Sequence, residues 1–213
     1  MMHAAVPARA AFSVLLVCEA NVCRSPLIAF EASRAWPVEA VSAGANAANG
    51  AAICPLAAQR ISTSRKGRLF TENFRSTPLN ALDIGSFDLV LAVTMELRAE
   101  LSRTHPPLHG NMFTVLEALA LSRAPLTRAE RGTLGVLGPA AVLLARRGTV
   151  ATGTATERPR RWGSRLDPLD IPDGHNGRRT RHHLATVERA ATAGTELGTL
   201  LLDWWTAADP EGR

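Results

Sequence analysis

The chain has 213 residues, of which 46% are hydrophobic and 20% are charged, and its formal net charge is +5. This length suits one domain with a well-buried core, and the sequence contains neither an apolar run long enough to span a membrane nor a disulfide scaffold. Its three cysteines lack the two-pair spacing of a zinc site, so we expect no metal, and they indicate a cytoplasmic protein. The positive excess is almost all arginine without a nucleic-acid-binding motif, which favours attraction of anionic substrates.

The first half of the chain alternates short apolar runs with helical segments. The run at 11–17 predicts a buried strand, and Ser25 followed by Pro26 predicts the N-cap and first position of a helix that stops at Pro37. Further strands are predicted at 38–44, 87–93 and 111–115, and further helices at 55–61, 94–103 and 116–121. Strands alternating with helices indicate an α/β domain with a parallel sheet.

The second half differs in composition. Gly, Thr, Ala and Arg dominate from about 122 to 165, where only 139–147 has a helical pattern. We interpret this stretch as an insertion or mobile lid within a single domain spanning 1–213. The segment 166–177, "LDPLDIPDGHNG", is a loop rich in Asp, Pro and Gly. The segment 178–205 is predicted to be one helix with a buried stripe that includes Leu184.

The most informative stretch is "VCEANVCRSP", residues 17–26, at the junction of the first strand and the first helix. Loop amides and the helix N-terminus favour an anion there, and the same field favours the thiolate of Cys18. Arg24 closes the loop with a guanidinium that can bind two phosphate oxygens, and Ser25 can donate to the thiolate. Cys18 and Cys23 could instead be inert buried thiols, but Cys-x5-Arg-Ser-Pro at such a junction favours a phosphate-binding loop.

This segment resembles the loop of the low-molecular-weight protein tyrosine phosphatases. The resemblance extends to "VSAGANAANGAAICPLAAQRI", "FDLVLAVTMELRAEL", "MFTVLEAL" and "DIPDGHNG", and it covers roughly 12–121 and 166–205. The chain is therefore identified as a divergent member with an arginine-rich insertion. The resemblance implies a four-stranded parallel sheet flanked by helices on both faces, with the phosphate-binding loop after the first strand. It also implies cysteine-dependent hydrolysis of phosphate esters without a metal or other cofactor.

The resemblance also implies a role for each matched residue. Cys18 would attack phosphorus, Arg24 and the loop amides would hold the phosphate oxygens, and Asp173 would be the general acid. The loop residues placed around the phosphate are Glu19, Ala20, Asn21, Val22, Cys23 and Ser25. Ser42 would support Asn21, and Cys23 would form a reversible disulfide with Cys18.

Two departures from the family pattern concern backbone conformation. Ala20 replaces the usual loop glycine, so a positive φ at this position would be strained. Gly174 replaces the proline that usually follows the acid, so we expect a more mobile loop and a less firmly aimed Asp173. Asp167 does precede a proline and is the rival acid, although "DIPD" keeps Asp173 in the family's register.

The remaining departures concern side chains around the site. Phe74 stands where many relatives carry a histidine that supports the loop. His175 stands where aromatic residues often wall the cleft, and it either stacks on a substrate ring or lies in solvent. Glu19 either opposes the thiolate and the phosphate dianion or points to solvent at the rim, where screening makes it nearly neutral.

Three functions follow from these residues. The leading one is a protein tyrosine phosphatase or related phosphomonoesterase acting through a cysteinyl-phosphate, on a phosphorylated protein or a small aryl phosphate. The second is an arsenate reductase that depends on a small-molecule thiol, since only Cys54 lies downstream of the loop. The third is a non-catalytic phosphate-binding module, suggested by Ala20 and Gly174. No nucleic-acid or membrane partner is expected.

Overall fold

The computed structural model describes residues 12–35, 39–148, 167–175 and 180–208, and these contain a four-stranded parallel sheet. The strands lie in the order β2-β1-β3-β4. Their bounds are Ser13–Cys18 (β1), Glu39–Gly44 (β2), Leu89–Ala92 (β3) and Met112–Thr114 (β4). From β1 the chain moves toward one edge of the sheet to reach β2, and from β3 it moves toward the other edge to reach β4. Because crossovers between parallel strands are right-handed, the helices in these two connections cover opposite faces of the sheet. The predicted fold class is confirmed.

Eight helices occur within the described ranges. They are Arg24–Ala32 (α1), Pro55–Ile61 (α2), Arg65–Asn73 (α3), Met95–Thr104 (α4), Val115–Leu121 (α5), Arg128–Leu137 (α6), Pro139–Arg146 (α7) and Thr180–Ala208 (α8). Short 3-10 turns cover Leu79–Ala81, Ile84–Ser86 and Pro106–Asn111. The sequence patterns missed α3 and α6. None of the helices described is both long and apolar enough to cross a membrane.

Strand β1 is the centre of the fold and delivers Cys18 to one edge of the sheet. It pairs with β2 on one side and β3 on the other, which explains its continuous apolar sequence. Its residues 14–17 are fully buried. The register places Cys18 opposite Gly44, so the carboxyl ends of both strands meet where the next loop begins.

Helix α1 begins earlier than the sequence suggested. Its N-cap is Cys23, without a side-chain cap, and Ser25 lies inside the first turn. The predicted Ser25 N-cap is therefore wrong, because the helix begins at Arg24 and the Ser25 hydroxyl donates to Cys18 instead of accepting from a backbone N–H of the first turn. The helix ends at Ala32. Pro37, which was predicted to stop it, lies outside the described residues.

Helix α8 packs backbone to backbone on α1. A Cβ added at Gly194 would lie 2.7 Å from the carbonyl oxygen of Ile28, and one at Gly198 would lie 2.7 Å from that of Ala32. The buried face of α8 therefore runs through glycines, and Leu184 lies off it with 47% exposure. Its predicted burial is wrong. This close contact fixes the start of α8 beside the start of α1.

Arg146, at the end of α7, anchors the described part of the predicted insertion. Arg146 is 6% exposed and donates to the carbonyl oxygens of Leu121, Ala124 and Pro125. It also forms a two-point ion pair with Glu130, at 2.6 and 2.9 Å. The insertion itself stays a prediction, but residues 128–146 are packed helices. Residues 149–166 lie outside the described ranges.

The ion pair between Arg146 and Glu130 stabilises the fold over a defined pH range. The hydrogen bond from Arg146 is the largest of the effects that lower the pKa of Glu130, from 4.5 to about 2. A carboxyl group with a depressed folded-state pKa stabilises the fold above its unfolded pKa. The contribution of Glu130 is therefore complete above about pH 4.5 and is lost as the pH falls toward 2.

Replacing Arg146 with methionine should lower the free energy of unfolding by about 3 to 5 kcal/mol. The substitution leaves three carbonyls and one carboxylate without their donor. Urea denaturation measures the effect, and Arg131→Met is the matched control because Arg131 is exposed on α6. An Arg146→Met loss no larger than that of the control would show that Arg146 does not anchor these helices.

Candidate active site

The thiol of Cys18 lies in a ring of hydrogen-bond donors at the end of β1. Its Sγ accepts from the backbone N of Asn21 at 3.2 Å and from Oγ of Ser25 at 3.0 Å. Cys18 is 2% exposed. The N-terminus of α1 adds its partial positive charge at the same place. Donors and dipole thus converge on the sulfur that the sequence predicts to be the nucleophile.

Asn21 fixes the shape of the loop. Its Nδ2 donates to Oγ of Ser25 and to Oγ of Ser42, both at 2.9 Å. Its Oδ1 accepts from the backbone N of Thr77 at 2.8 Å. The side chain is fully buried, so these hydrogen bonds compete with no solvent. The structure thus places Ser42 beside Asn21, as the resemblance implied.

The loop's left-handed residue is Asn21 rather than Ala20. Asn21 has a φ of 51°, a region that asparagine tolerates better than most residues. Ala20 has no positive φ, so the condition under which it would be strained is not met. The sequence analysis overlooked Gly44, where a Cβ would lie 2.8 Å from both Asn21 N and Glu19 O. Only glycine lets the loop lie across the end of β2.

Arg24 links the phosphate-binding loop to the acid loop, residues 167–175. It is 7% exposed, and its Nη1 donates to the carbonyl oxygen of Ile171 at 3.2 Å. Its Nη2 lies 3.6 Å from Oδ2 of Asp173. Ile171 N in turn donates to the carbonyl oxygen of Val93, just after β3. The acid loop is thus held by the sheet and by Arg24 together.

The structure brings Asp173, and not Asp167, to Arg24. Asp167 is exposed, and its carboxylate accepts from the backbone N of Leu169. Burial of the Asp173 carboxyl opposes its ionisation, but the backbone N–H of His175 and the charge of Arg24 outweigh burial and lower its pKa. Asp173 is therefore ionised in the free protein near neutral pH.

Asp170 is a loop residue that the sequence analysis missed. Its Oδ1 accepts from the backbone N of Met95 at 2.7 Å, at the first residue of α4. Burial raises the pKa of Asp170, against the lowering effect of that hydrogen bond. Asp170 therefore fixes the acid loop to the start of α4.

Gly174 lets the acid loop approach α8. A Cβ at this position would lie 2.6 Å from Cα of His183 and 3.0 Å from Oγ1 of Thr186. Glycine therefore permits a close contact between loop and helix, and the greater mobility that we expect of this loop stays a prediction. His175 packs against His183, with ring centroids 4.1 Å apart and the rings tilted by 53°, and its Nδ1 lies 3.2 Å from Oδ1 of Asp173.

The other sequence-predicted residues lie around this centre. Glu19 is exposed and its carboxylate accepts from Nδ2 of Asn46, which supports the rim interpretation. Val22 is half-buried, and its carbonyl oxygen accepts from Cys54 N at 2.7 Å. Phe74 stacks on Phe70 with centroids 5.4 Å apart, so it belongs to an aromatic cluster.

Cys23 and Cys54 face each other beside His183. Their Sγ atoms lie 3.3 and 3.6 Å from its Nε2. A hydrogen bond between the two thiols is the main effect that lowers the pKa of Cys54 to about 5, and it raises the pKa of Cys23. Cys54 is also the N-cap of α2, where it accepts from Ala57 N. The Cys18–Cys23 disulfide stays a prediction, and Cys54 is a second partner for Cys23.

Known proteins are similar to this chain in sequence and in fold. The family model described as low molecular weight phosphotyrosine protein phosphatase matches residues 13–120. No curated protein matches the sequence. Among solved structures, the chain is similar in fold to the YwlE arginine phosphatase from Geobacillus stearothermophilus, with 20% identity, 95% of this chain and 97% of that chain covered, and a TM-score of 0.57.

Two other solved structures show the same fold. A low molecular weight protein tyrosine phosphatase from T. tengcongensis is 19% identical over 88% of this chain and 97% of that chain, with a TM-score of 0.56. The tyrosine phosphatase Wzb from Escherichia coli K30, solved with sulphate, is 18% identical over 88% and 96%, with a TM-score of 0.54. With the family model covering half of the chain, this protein belongs to the low molecular weight phosphotyrosine protein phosphatase family and is a cysteine-dependent phosphatase.

Proposed function

We propose that the enzyme hydrolyses aryl phosphate monoesters, with phosphotyrosine in proteins as its substrate class, and that Cys18, Arg24 and Asp173 perform the chemistry. The observation that carries this proposal is the meeting of three groups at one edge of the sheet. The Cys18 thiol accepts two hydrogen bonds, and Arg24, six residues along the same loop, has its Nη2 3.6 Å from Oδ2 of Asp173. Nucleophile, anion-binding group and proton donor are thus in one place.

Phosphate binding begins with Arg24. In the free protein its guanidinium faces the carboxylate of Asp173 and the carbonyl oxygen of Ile171. A phosphate dianion competes for the same donors and presents two oxygens to the planar guanidinium. The backbone N–H groups of residues 19–24 supply the remaining donors. Because the negative charge of the phosphate offsets that of Arg24, binding favours the protonated form of Asp173.

The first chemical step transfers the phosphoryl group to the enzyme. The Cys18 thiolate attacks phosphorus, the S–P bond forms, and the P–O bond to the phenol breaks. The leaving oxygen takes the proton of Asp173 and departs as a neutral phenol. Ser25 supports this step because its hydroxyl is already within 3.0 Å of Sγ and stabilises the thiolate.

The second step returns the enzyme to its starting state. The Asp173 carboxylate takes a proton from water, whose oxygen attacks phosphorus and displaces the Cys18 thiolate. Inorganic phosphate leaves, and Asp173 releases the proton that it took from water to solvent, which restores the carboxylate of the free enzyme. One solved relative is described as a YwlE arginine phosphatase mutant with a phosphorylated active-site serine. A covalent phosphoryl group at the corresponding position of this chain is consistent with that description.

Leaving-group dependence tests the role of Asp173. In the first step, followed as the burst of released phenol before the shared phosphoenzyme breaks down, Asp173→Asn should slow phenyl phosphate about 100-fold, since phenol needs a proton to leave, and should slow nitrophenyl phosphate far less. Asp167→Asn is the matched control because it makes the same change in the same loop. If Asp167→Asn shows the leaving-group pattern and Asp173→Asn does not, the assignment of the acid is wrong.

A substrate panel tests the substrate class. Phosphotyrosine peptide, phosphoarginine peptide and arsenate with a small-molecule thiol are compared on the same preparation. The proposal expects the highest kcat/KM for phosphotyrosine. Phosphoarginine is included because one solved structure of similar fold is an arginine phosphatase. A higher kcat/KM for phosphoarginine, or for arsenate reduction, would contradict the proposed substrate.

A further inference from the structure

Four metal-ligating side chains converge next to the phosphate-binding loop. They are Cys23, at the N-cap of α1, Cys54, at the N-cap of α2, His183, in the first turn of α8, and His175, in the acid loop. One ligand atom of each lies within 4.8 Å of the ligand atoms of the others. We propose that this Cys2His2 cluster binds one Zn²⁺.

The spacing of the cluster fits a tetrahedral ion. With Zn–S of about 2.3 Å and Zn–N of about 2.0 to 2.1 Å, tetrahedral geometry separates sulfur from nitrogen by about 3.5 to 3.6 Å. The two measured S···N distances, from Cys23 and Cys54 to Nε2 of His183, are 3.3 and 3.6 Å. The widest pair in the cluster needs to close by only about 1 to 1.5 Å. His175, whose side chain is 41% exposed, has the freedom to make that adjustment.

The donor set selects zinc by its chemistry. Two thiolates and two imidazoles form a closed, structural zinc site, whereas Mg²⁺, Ca²⁺ and Mn²⁺ prefer oxygen ligands. Zn²⁺ takes both cysteines as thiolates, and a cysteine that is still protonated releases its proton to solvent, so the ion with two thiolates and two neutral rings carries no net charge. A neutral centre suits the burial of Cys23 and Cys54, which are 3% and 7% exposed.

The site would connect metal binding to the acid loop. Oδ1 of Asp173 lies 3.2 Å from Nδ1 of His175, which leaves Nε2 of that ring for the metal. A carboxylate that accepts from a metal-bound histidine orients the ring and is itself held by it. Zinc would therefore hold Asp173 in place through His175, while Cys23 ties the same centre to the phosphate-binding loop. This positioning role rests on the proposed function, but the metal site does not.

Cobalt substitution tests the site without any activity assay. The reduced full-length chain is titrated with Co²⁺ in the wild type and in Cys18→Ser, which removes the nucleophile as a competing ligand. We expect a thiolate-to-cobalt charge-transfer band and tetrahedral visible bands that saturate at one equivalent in both proteins, and that Zn²⁺ abolishes. Absence of the charge-transfer band in both proteins would overturn the proposal.

Variants identify the ligands. Cys54→Ser keeps an oxygen that can cap α2, so the fold is retained while a thiolate ligand is lost. This variant and His183→Gln should each weaken Co²⁺ and Zn²⁺ binding at least about 100-fold. His182→Gln changes the neighbouring residue of α8, outside the cluster, and should bind as the wild type does. Full-affinity binding in both Cys54→Ser and His183→Gln would place the metal elsewhere and overturn the proposal.

Thermal unfolding gives an independent readout. Zinc at a hundredfold excess over its Kd should raise the Tm of Cys18→Ser by about 5 to 10 °C, because the four ligands come from separate elements and meet only in the folded chain. The same addition to Cys18→Ser/Cys54→Ser should leave Tm unchanged. An equal rise in both would contradict the site. Neither measurement depends on catalysis, so the metal site and the proposed function can fail separately.

Discussion

Cys18→Ser should reduce turnover of aryl phosphates by about 10⁴-fold or more, while binding of inorganic phosphate persists. A serine hydroxyl at this position is a weak nucleophile, because nothing beside it has been arranged to remove its proton. The donors around the site remain, since Asn21 N, the Ser25 hydroxyl and Arg24 belong to other residues. Steady-state kinetics and calorimetric titration with phosphate measure the two quantities.

Turnover and phosphate binding together distinguish a lost nucleophile from a disrupted loop. A fall in both turnover and phosphate binding would indicate a disrupted loop rather than a lost nucleophile, and far-ultraviolet circular dichroism would then show whether the fold changed. Substantial aryl-phosphatase activity in a well-folded Cys18→Ser variant would mean that the nucleophile is another residue.

Arg24→Lys should reduce kcat/KM by about 10³-fold although it keeps the positive charge. An ammonium group cannot present two coplanar donors to the phosphate, and it cannot hold the Ile171 carbonyl and the Asp173 carboxylate at the same time. The loss combines weaker binding of the transition state with release of the acid loop, so inorganic phosphate should also bind more weakly.

Arg34→Lys is the matched control for this substitution. Arg34 lies just after α1, is 62% exposed and pairs with Glu31, so its replacement should leave kcat/KM near the wild-type value. An Arg24→Lys variant within tenfold of that control would show that charge alone suffices, and the two-point grip on the phosphate would then be wrong.

Local chemistry explains what the sequence predicts well. The strand at β1, the cysteine at its end and the arginine six residues later form one continuous stretch, so the phosphate-binding loop can be inferred without knowing the rest of the fold. The predicted strands overlap all four observed strands, and β1 and β3 are the clearest because they are buried, continuous apolar runs.

Tertiary contacts explain what it does not predict. Ser25 has the side chain of an N-cap, but the neighbouring thiol of Cys18 takes its hydroxyl. Gly174 suggests a mobile loop, and the sequence does not show that α8 passes within contact distance of this glycine. In each case the contact is made with another element of the fold.

The Cys2His2 cluster follows the same rule. Its members at 23, 54, 175 and 183 have none of the regular spacing by which zinc sites are recognised in a sequence. The fold brings them together because α8 packs against α1 and the acid loop packs against α8. The expectation that the chain binds no metal depended on cysteine spacing and on the metal-free chemistry that the family resemblance implies, and neither takes account of side chains that the fold brings together.

Detection of a phosphoryl group on Cys18 tests the central claim most directly. Asp173→Asn is mixed with nitrophenyl phosphate, whose leaving group needs no acid, and is quenched with denaturant at mildly alkaline pH. Because the variant lacks the base that activates water, the intermediate should accumulate, and mass mapping should find one added phosphoryl group on the peptide containing Cys18. The phosphoryl group should disappear when excess inorganic phosphate displaces the substrate and turnover completes. Turnover without any phosphoryl group on Cys18, or a phosphoryl group on a different residue, would contradict the mechanism.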